Sequence, residues 1–464
     1  MGVDAGQPVA AEPQAPPRAQ VWAWGLWDWG SAAFNAVIIT FIFSVYVTSV
    51  DAVGGNVSRP GTWYAWSLAL AGLFIALLAP VTGQRADAGG HRKRSLGIWT
   101  YLVVAIMFAL FLVRDDGAGY FWLALALLGA ASVFASFAEV SYFAMLRQVS
   151  TPATVGRVSG FGWAMGYFGG IVLLVISYFG FIAGEDGSAT KGFLGISAEA
   201  GLNVRLVAVL AAAWFAIFAL PVLLKVPEVP RQAAGRRVGF FASYRVLFKD
   251  LAGLWRTDRN AVYFLLASAL FRDGLAAIFT LGAVLANTVY GISTADVLIF
   301  GIAANVVSAV GALVGGRLDD KIGAKGVIVV SLIGLVVTAL VLLMVSGQLM
   351  FWIFGLILVL FVGPAQSAAR TYLTRIAAVG REGQMFGLYT TTGRAVSFLA
   401  PGLFALFSGV FGNDRWGIIG IVLVLGAGLA AMVPVAQAVD KSTAPAGASA
   451  GTAGKSGDAS GAAG

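Results

Sequence analysis

The chain has 464 residues, 59% of them hydrophobic and only 11% charged, with a mean hydropathy of +0.86 and a net charge of +8. Soluble globular chains sit at roughly 45–50% apolar and about 25% charged, so this composition excludes a water-soluble fold with a large catalytic domain and points to a polytopic membrane protein. The absence of cysteine and the single histidine, His91, exclude disulfides, thiolate or multi-histidine metal sites and cysteine nucleophiles, and no cofactor is expected.

In chain order, residues 1–21 are rich in Ala, Pro and Gln and read as a disordered tail; no basic stretch precedes an apolar run, as a cleavable signal peptide would require. Windows of about 19 residues then predict twelve membrane-spanning helices. Six lie in a first half, 22–226, at 22–50, 62–83, 95–113, 120–146, 156–183 and 204–226. Residues 227–259 are a basic cytoplasmic linker in which Phe240, Phe241, Tyr244, Val246, Leu247 and Leu251 suggest an amphipathic segment on the inner leaflet. Six more spans fill a second half, 260–438, at 260–288, 294–316, 326–346, 349–369, 384–410 and 416–438. Residues 439–464, mostly Ala, Gly, Ser and Thr, read as a second disordered tail.

Orientation follows from Lys and Arg. With the N-terminus inside, the cytoplasmic side collects 23 of the 30 basic residues; Arg59, Arg114, Lys191, Arg205 and Arg415 lie opposite, and Arg272 and Arg394 fall inside spans. This bias predicts cytoplasmic termini in the cell inner (plasma) membrane. It also accounts for the positive charge without nucleic-acid binding. The partners expected are a small-molecule substrate and the lipid bilayer, around a monomer.

The halves carry an internal repeat. After the second span comes Gly83-Gln-Arg-Ala-Asp87-Ala-Gly-Gly90-His-Arg92, and after the eighth Gly315-Gly-Arg-Leu-Asp319-Asp-Lys-Ile-Gly323-Ala-Lys325, with the two Asp 232 residues apart. Tyr142-Phe-Ala-Met-Leu-Arg147 and Thr371-Tyr-Leu-Thr-Arg375 continue it, their arginines 228 apart. The expected fold class is therefore all-α, a polytopic membrane protein of twelve helices in two six-helix parallel repeats. The Gly-x-x-x-Asp-x-x-Gly-x-Arg/Lys loops resemble the signature of the major facilitator superfamily. That resemblance implies that Gly83, Asp87, Gly90 and Arg92, with Gly315, Asp319, Gly323 and Lys325, form gating loops.

A narrower resemblance covers most of 22–438. Trp24-Gly-Leu-Trp27-Asp28-Trp29-Gly30-Ser31-Ala32-Ala33-Phe34 is similar to the opening of the autophagy-related vacuole effluxer-like family, although Gly30 stands where that family prefers Ala-Asn. Phe271-Arg272-Asp273-Gly274, with Phe279 and Thr280, resembles the family's Tyr-Asn-Asp-Gly segment, with Arg272 in place of Asn. Ser159 to Gly170, Gln366 to Arg370, and Gly380-Arg-Glu382 with Phe386-Gly387 are similar again. The fungal members export amino acids from the vacuole, so the resemblance implies small-molecule efflux.

Ionisable groups inside spans are costly and mark candidate sites. Asp28 shares a helical stripe with Ser31 and Asn35, and Glu139 shares one with Ser132 and Ser136. Glu139 reads either as a proton site or as the partner of Arg147. Asp273 is expected to pair with Arg394 or Arg272. Asp28, Glu139 and Asp273 are the candidates for proton coupling; Asn35, Arg272, Arg394, Gln366 and Ser367 are those for substrate binding, with Arg370 read as a topology charge or a further cavity residue. The Trp residues at 22–29 read as an interface belt, and Gly162, Gly166 and Gly170 as a close-packing face.

The expected function is a secondary transporter exporting a small solute, amino acids foremost, by alternating access coupled to protons. Alternatives are an exporter of drugs or other metabolites, and a non-transporting receptor or scaffold of the same fold. No phosphate-binding Gly-x-x-x-x-Gly-Lys-Ser/Thr loop occurs, and one loop histidine without cysteine argues against an enzyme.

Overall fold

A computed structural model describes residues 16–49, 53–115, 117–184, 189–228, 253–256 and 258–438. The tail expected at 439–464, residues 1–15 of the other tail and most of the linker with its amphipathic segment lie outside the described residues. The first helix already begins at Arg18, so the first half starts earlier than the boundary at 22 anticipates.

Among the described residues, twelve helices are long and apolar enough to cross a membrane. In the first half they are α1 (Arg18–Thr48), α2 (Pro60–Gly89), α3 (Arg92–Leu112), α4 (Ala118–Gln148), α5 (Val155–Ile182) and α6 (Glu199–Lys225). The second half comprises α7 (Arg259–Thr288), α8 (Ile299–Ile322), α9 (Ala324–Met344), α10 (Gln348–Ile376), α11 (Glu382–Phe411) and α12 (Asp414–Met432). Between α5 and α6 a short antiparallel hairpin pairs β1 (Thr190–Lys191) with β2 (Ile196–Ser197), an element that hydropathy does not foretell.

α1, α10 and α11 are interrupted in mid-span, which a span tolerates only where protein or a water-filled cavity satisfies the freed backbone groups. α1 is α-helical over Arg18–Ala32, π-helical over Ala33–Phe41 and α-helical again over Phe43–Thr48. α10 breaks at Phe361, between Gln348–Leu360 and Val362–Ile376, three residues before Pro364, which lacks a ladder donor. α11 breaks between Glu382–Val396 and Leu399–Phe411, just before Pro401.

The halves meet through α2 against α11 and α5 against α8. Glycine makes both contacts possible: a methyl added at Gly83 would collide with the carbonyl oxygen of Gly383, and one at Gly160 with that of Ala312. Within the first half, the α5 face expected to pack closely does so on α1, where Gly162 abuts Trp24 and Asp28 and Gly170 faces Ala32 and Ala36. The tryptophan belt is the larger correction. Trp22 is exposed, but Trp24 and Trp27 are buried and sandwich the Tyr142 ring, with centroids 4.4 and 4.2 Å away. Their indole N–H groups donate to Tyr142 O and Thr100 Oγ1, so they belong to the interior of the half.

Candidate functional site

The bonds joining the halves run from the ends that carry the basic loops to the middle of the bundle. At the basic end, Asp87 accepts a hydrogen bond from the Gln384 backbone N–H at 2.9 Å, which sets a carboxylate at the N-terminus of α11. Arg92 donates to Asp87 at 2.7 Å and also pairs with Glu382. Arg147 closes the group, 3.0 Å from Glu382 and 3.0 Å from the Ala377 carbonyl. Asp87, Arg92 and Glu382 are all buried. Arg147 therefore binds Glu382 rather than Glu139.

The second copy of the loop acts one residue later than its pattern suggests. Asp320, not Asp319, crosses to the other half, accepting from the backbone N–H of Gly156 (2.8 Å) and Arg157 (3.1 Å) at the start of α5 and pairing with Arg157 Nε at 3.0 Å. Asp319 stays within its own half, bound to Thr371 and Arg375. Likewise it is Gly316 that abuts Gly156, whereas Gly315 faces Pro364 inside the half. Paired glycines and paired aspartates leave the register ambiguous by one, and one residue turns a helix face by about 100°. Gly90 and Gly323 take positive φ, 62° and 82°, at their helix ends. Lys325 bonds the Val433 carbonyl in its own half and so has no part resembling that of Arg92.

Deeper in the bundle, Arg370 of α10 crosses to α1, α4 and α5. It lies 3.4 Å from Asp28 Oδ2 and donates to Ser159 Oγ (3.0 Å) and Ser159 O (2.6 Å), with its guanidinium 4.8 Å from the Trp24 ring. Asp28 also accepts from the Tyr142 hydroxyl at 2.9 Å. Arg370 is thus a bond between the halves, not a topology charge. Ser367, one turn earlier, is fully buried: its carbonyl accepts from Ser159 Oγ, and its hydroxyl has no hydrogen-bond partner among the described residues. Gln366 accepts from Tyr167 at 2.8 Å, and the Tyr167 ring faces Phe279 of α7 at 6.4 Å.

A third group occupies mid-bundle. Arg272 stands thirteen residues after Arg259 and Arg394 twelve after Glu382, roughly 18–20 Å along their helices and near the centre of a bilayer. Arg272 donates to Tyr389 O at 2.9 Å and stacks over that ring at 3.8 Å. Arg394 is exposed and reaches Ser136 Oγ at 3.5 Å. Glu139, half-buried, lies in the field of Arg272, Arg394 and Arg370 and makes no hydrogen bond or ion pair among the described residues. Asn35 is exposed on the π-helical stretch of α1, outside this group's bonds.

Asp273 departs from expectation. It pairs with neither Arg394 nor Arg272 but accepts from the Ala400 backbone N–H at 2.7 Å, capping the second segment of α11 after its break. The break exposes a backbone donor that a buried carboxylate satisfies. Asp273→Ala is therefore expected to lower stability by about 1 kcal/mol, while Asp273→Asn, which keeps an acceptor, stays near wild type. Thermal unfolding in detergent checks both.

Several of these residues escape a single sequence. Tyr142, Ser159 and Tyr389 carry no charge to flag them, and Asp320 hides beside Asp319. One signal existed: at the repeat offset of 228, Tyr142 corresponds to Arg370, and these two meet at Asp28. Among the described residues, no three His, Asp or Glu side chains gather as a metal site.

Comparison with known proteins agrees with this architecture. The family described as "Vacuole effluxer Atg22 like" matches residues 144–445. The Bacillus subtilis (strain 168) protein named "Uncharacterized MFS-type transporter YxiO" is 24% identical over 90% of this chain and 96% of its own length. Autophagy-related protein 22 of Cryptococcus neoformans var. neoformans serotype D (strain B-3501A) is 24% identical over 59% of this chain and 51% of its own. Among solved structures, the proton:xylose symporter XylE superposes with a TM-score of 0.71 at 14% identity, covering 91% of this chain and 97% of XylE, a likeness of fold. The chain belongs to the vacuole effluxer Atg22-like family and is a transporter of the major facilitator superfamily, not an enzyme.

Proposed function

We propose that the protein exports a small solute, with amino acids the foremost class, by alternating access coupled to protons. The observation that carries this reading is the placement of Glu139, Arg272 and Arg394. These three ionisable groups stand at mid-depth on helices of both halves, with Glu139 unbonded among the described residues. Charge at that depth is expensive unless it serves a solute or ion. Guanidinium groups suit a carboxylate, and an unbonded carboxylate can carry a proton. On this reading the protein lies in the plasma membrane with both termini in the cytoplasm, and the distribution of Lys and Arg supports the basic face as the cytoplasmic one. The arrangement described is then closed toward the cytoplasm. A gradient worth about 2.3 kcal/mol per charge per 100 mV suffices to drive one proton-linked step.

Purified protein in liposomes loaded with a pH-sensitive dye tests this, with amino acids, sugars and organic cations added singly and no imposed gradient. Proton movement with amino acids is expected, and Glu139→Gln should reduce it by about tenfold or more, a typical loss when a proton-transferring group is removed. Solute counterflow without proton movement would refute coupling. Absence of flux for every solute class, with partner binding that ignores Glu139→Gln, would refute transport in favour of a scaffold.

A further inference from the structure

We infer that the mid-bundle group selects a dicarboxylic α-amino acid, the charge class of L-glutamate and L-aspartate. This rests on the reading that Glu139, Arg272 and Arg394 face the transported solute.

Three neighbouring charged groups are already satisfied. Asp28 and Arg370 hold each other, and Asp273 is bound to the backbone of Ala400. Two guanidinium groups and one carboxylate are left, a formal charge of +1. The Arg272 guanidinium lies against Gly393, the residue before Arg394, and Arg394 reaches Ser136, one helical turn before Glu139, so the three groups share one stretch of the bundle. Like charges at bilayer depth are held there only against a partner, and this set has one acid too few.

The geometry says which atoms are free to bind. Arg272 is clamped by its stack on Tyr389 and by the bond from Nη1 to Tyr389 O, and Gly393 packs beside it with no side chain to intervene. Its Nε and Nη2 donors are thereby held in a fixed direction at little further entropic cost. Arg394 is accessible, and its 3.5 Å contact with Ser136 is long for a hydrogen bond. Glu139 has acceptor oxygens to spare.

Two carboxylates and one ammonium complement two guanidiniums and one carboxylate. A solute of net charge −1 brings the set to neutrality, each carboxylate on an arginine and the ammonium on Glu139. A neutral amino acid leaves one guanidinium without a counter-ion, and a cationic one adds repulsion.

Binding to the purified full-length protein in detergent tests the assignment, by calorimetry and thermal shift with L-glutamate, L-glutamine, L-lysine and glutarate. L-Glutamate is expected to bind about tenfold or more tightly than its neutral isostere L-glutamine, as one charge-assisted bond at low dielectric implies, with L-lysine weakest. Arg394→Gln and Arg272→Gln should bring the glutamate-to-glutamine ratio toward one while glutamine binding persists. Arg394→Lys, which retains the charge, should keep part of the preference and serves as control if a neutral variant misfolds. Glu139→Gln should move preference from L-glutamate toward glutarate, which has no ammonium. Equal binding of L-glutamate and L-glutamine would overturn the inference, as would tightest binding of L-lysine or no binding of any of the four. Selective glutamate binding without flux in liposomes would instead refute the transport reading and leave the charge assignment standing.

Discussion

Glu382→Gln is expected to open the basic face of the protein. Glu382 is the shared carboxylate between Arg92 of α3 and Arg147 of α4, and its side chain is 2% exposed. Glutamine keeps the volume and one acceptor but removes the charge, which leaves two arginines of one half facing a neutral partner in the other. Arg92 retains Asp87, and Arg147 retains the Ala377 carbonyl. The cost therefore falls at the low end of the roughly 3–5 kcal/mol for breaking a buried ion pair. All of it falls on the closed arrangement, because these contacts join the halves only there. A shift of about 3 kcal/mol changes a two-state ratio on the order of a hundredfold. The chain has no cysteine, so one introduced at Ala79, buried on α2 where Gly387 packs against it, reports opening unambiguously. Its labelling by a membrane-impermeant maleimide should accelerate by about that factor. Arg157→Gln, which removes the exposed arm of the second copy, should change the rate by less than about fivefold, as surface pairs contribute about 0–1 kcal/mol. Equal acceleration by both variants would show that the two copies share the closure evenly.

The repeat hid this asymmetry. Composition and hydropathy suffice to predict twelve spans in two halves, because lipid forces each span to be a long apolar helix and the period is strong. The charged residues inside those spans are equally visible, since each is improbable there; hence Asp28, Glu139, Arg272, Asp273 and Arg394 stand out at once. Partnership is another matter, because it depends on which face of which helix meets which. Asp273 was expected opposite an arginine and instead caps α11, since the break before Pro401 frees a backbone donor that nothing in the local pattern announces. The tryptophans around Asp28 have the composition of an interface belt, but α5 approaches closely enough at Gly162 to meet Trp24, and Trp27 turns inward onto Thr100, Tyr142 and Phe215 of α3, α4 and α6. Glu382, which holds two arginines of the opposite half, is an ordinary first-turn acid in sequence.

The second large effect concerns Asp28 and Arg370, where loss of the two partners should not cost the same. Arg370 has a side chain 2% exposed and Asp28 one 16% exposed. A guanidinium does not lose its proton in a protein, so Asp28→Asn leaves a buried cation with only neutral acceptors, Ser159 Oγ and O and one amide oxygen. A carboxylate can take a proton, so in Arg370→Met the remaining acid can become neutral and keep its contact with the Tyr142 hydroxyl. Methionine also fills the space beside Trp24 and Trp163 that the arginine stem occupies. Asp28→Asn is accordingly expected to cost about 3 kcal/mol and Arg370→Met about 1–2 kcal/mol. The double variant should come out more stable than Asp28→Asn alone, since it removes the stranded cation, giving a coupling of at least about 1 kcal/mol in the double-mutant cycle. Thermal unfolding in detergent measures the cycle, and maleimide labelling at Ala79→Cys separates loss of fold from loss of closure, because Arg370 ties α10 to the opposite half. Additive effects, or a larger cost for Arg370→Met, would mean that Arg370 is held by Ser159 and the aromatic rings rather than by Asp28. In that case Asp28 would be free to exchange a proton without disturbing the contact between the halves.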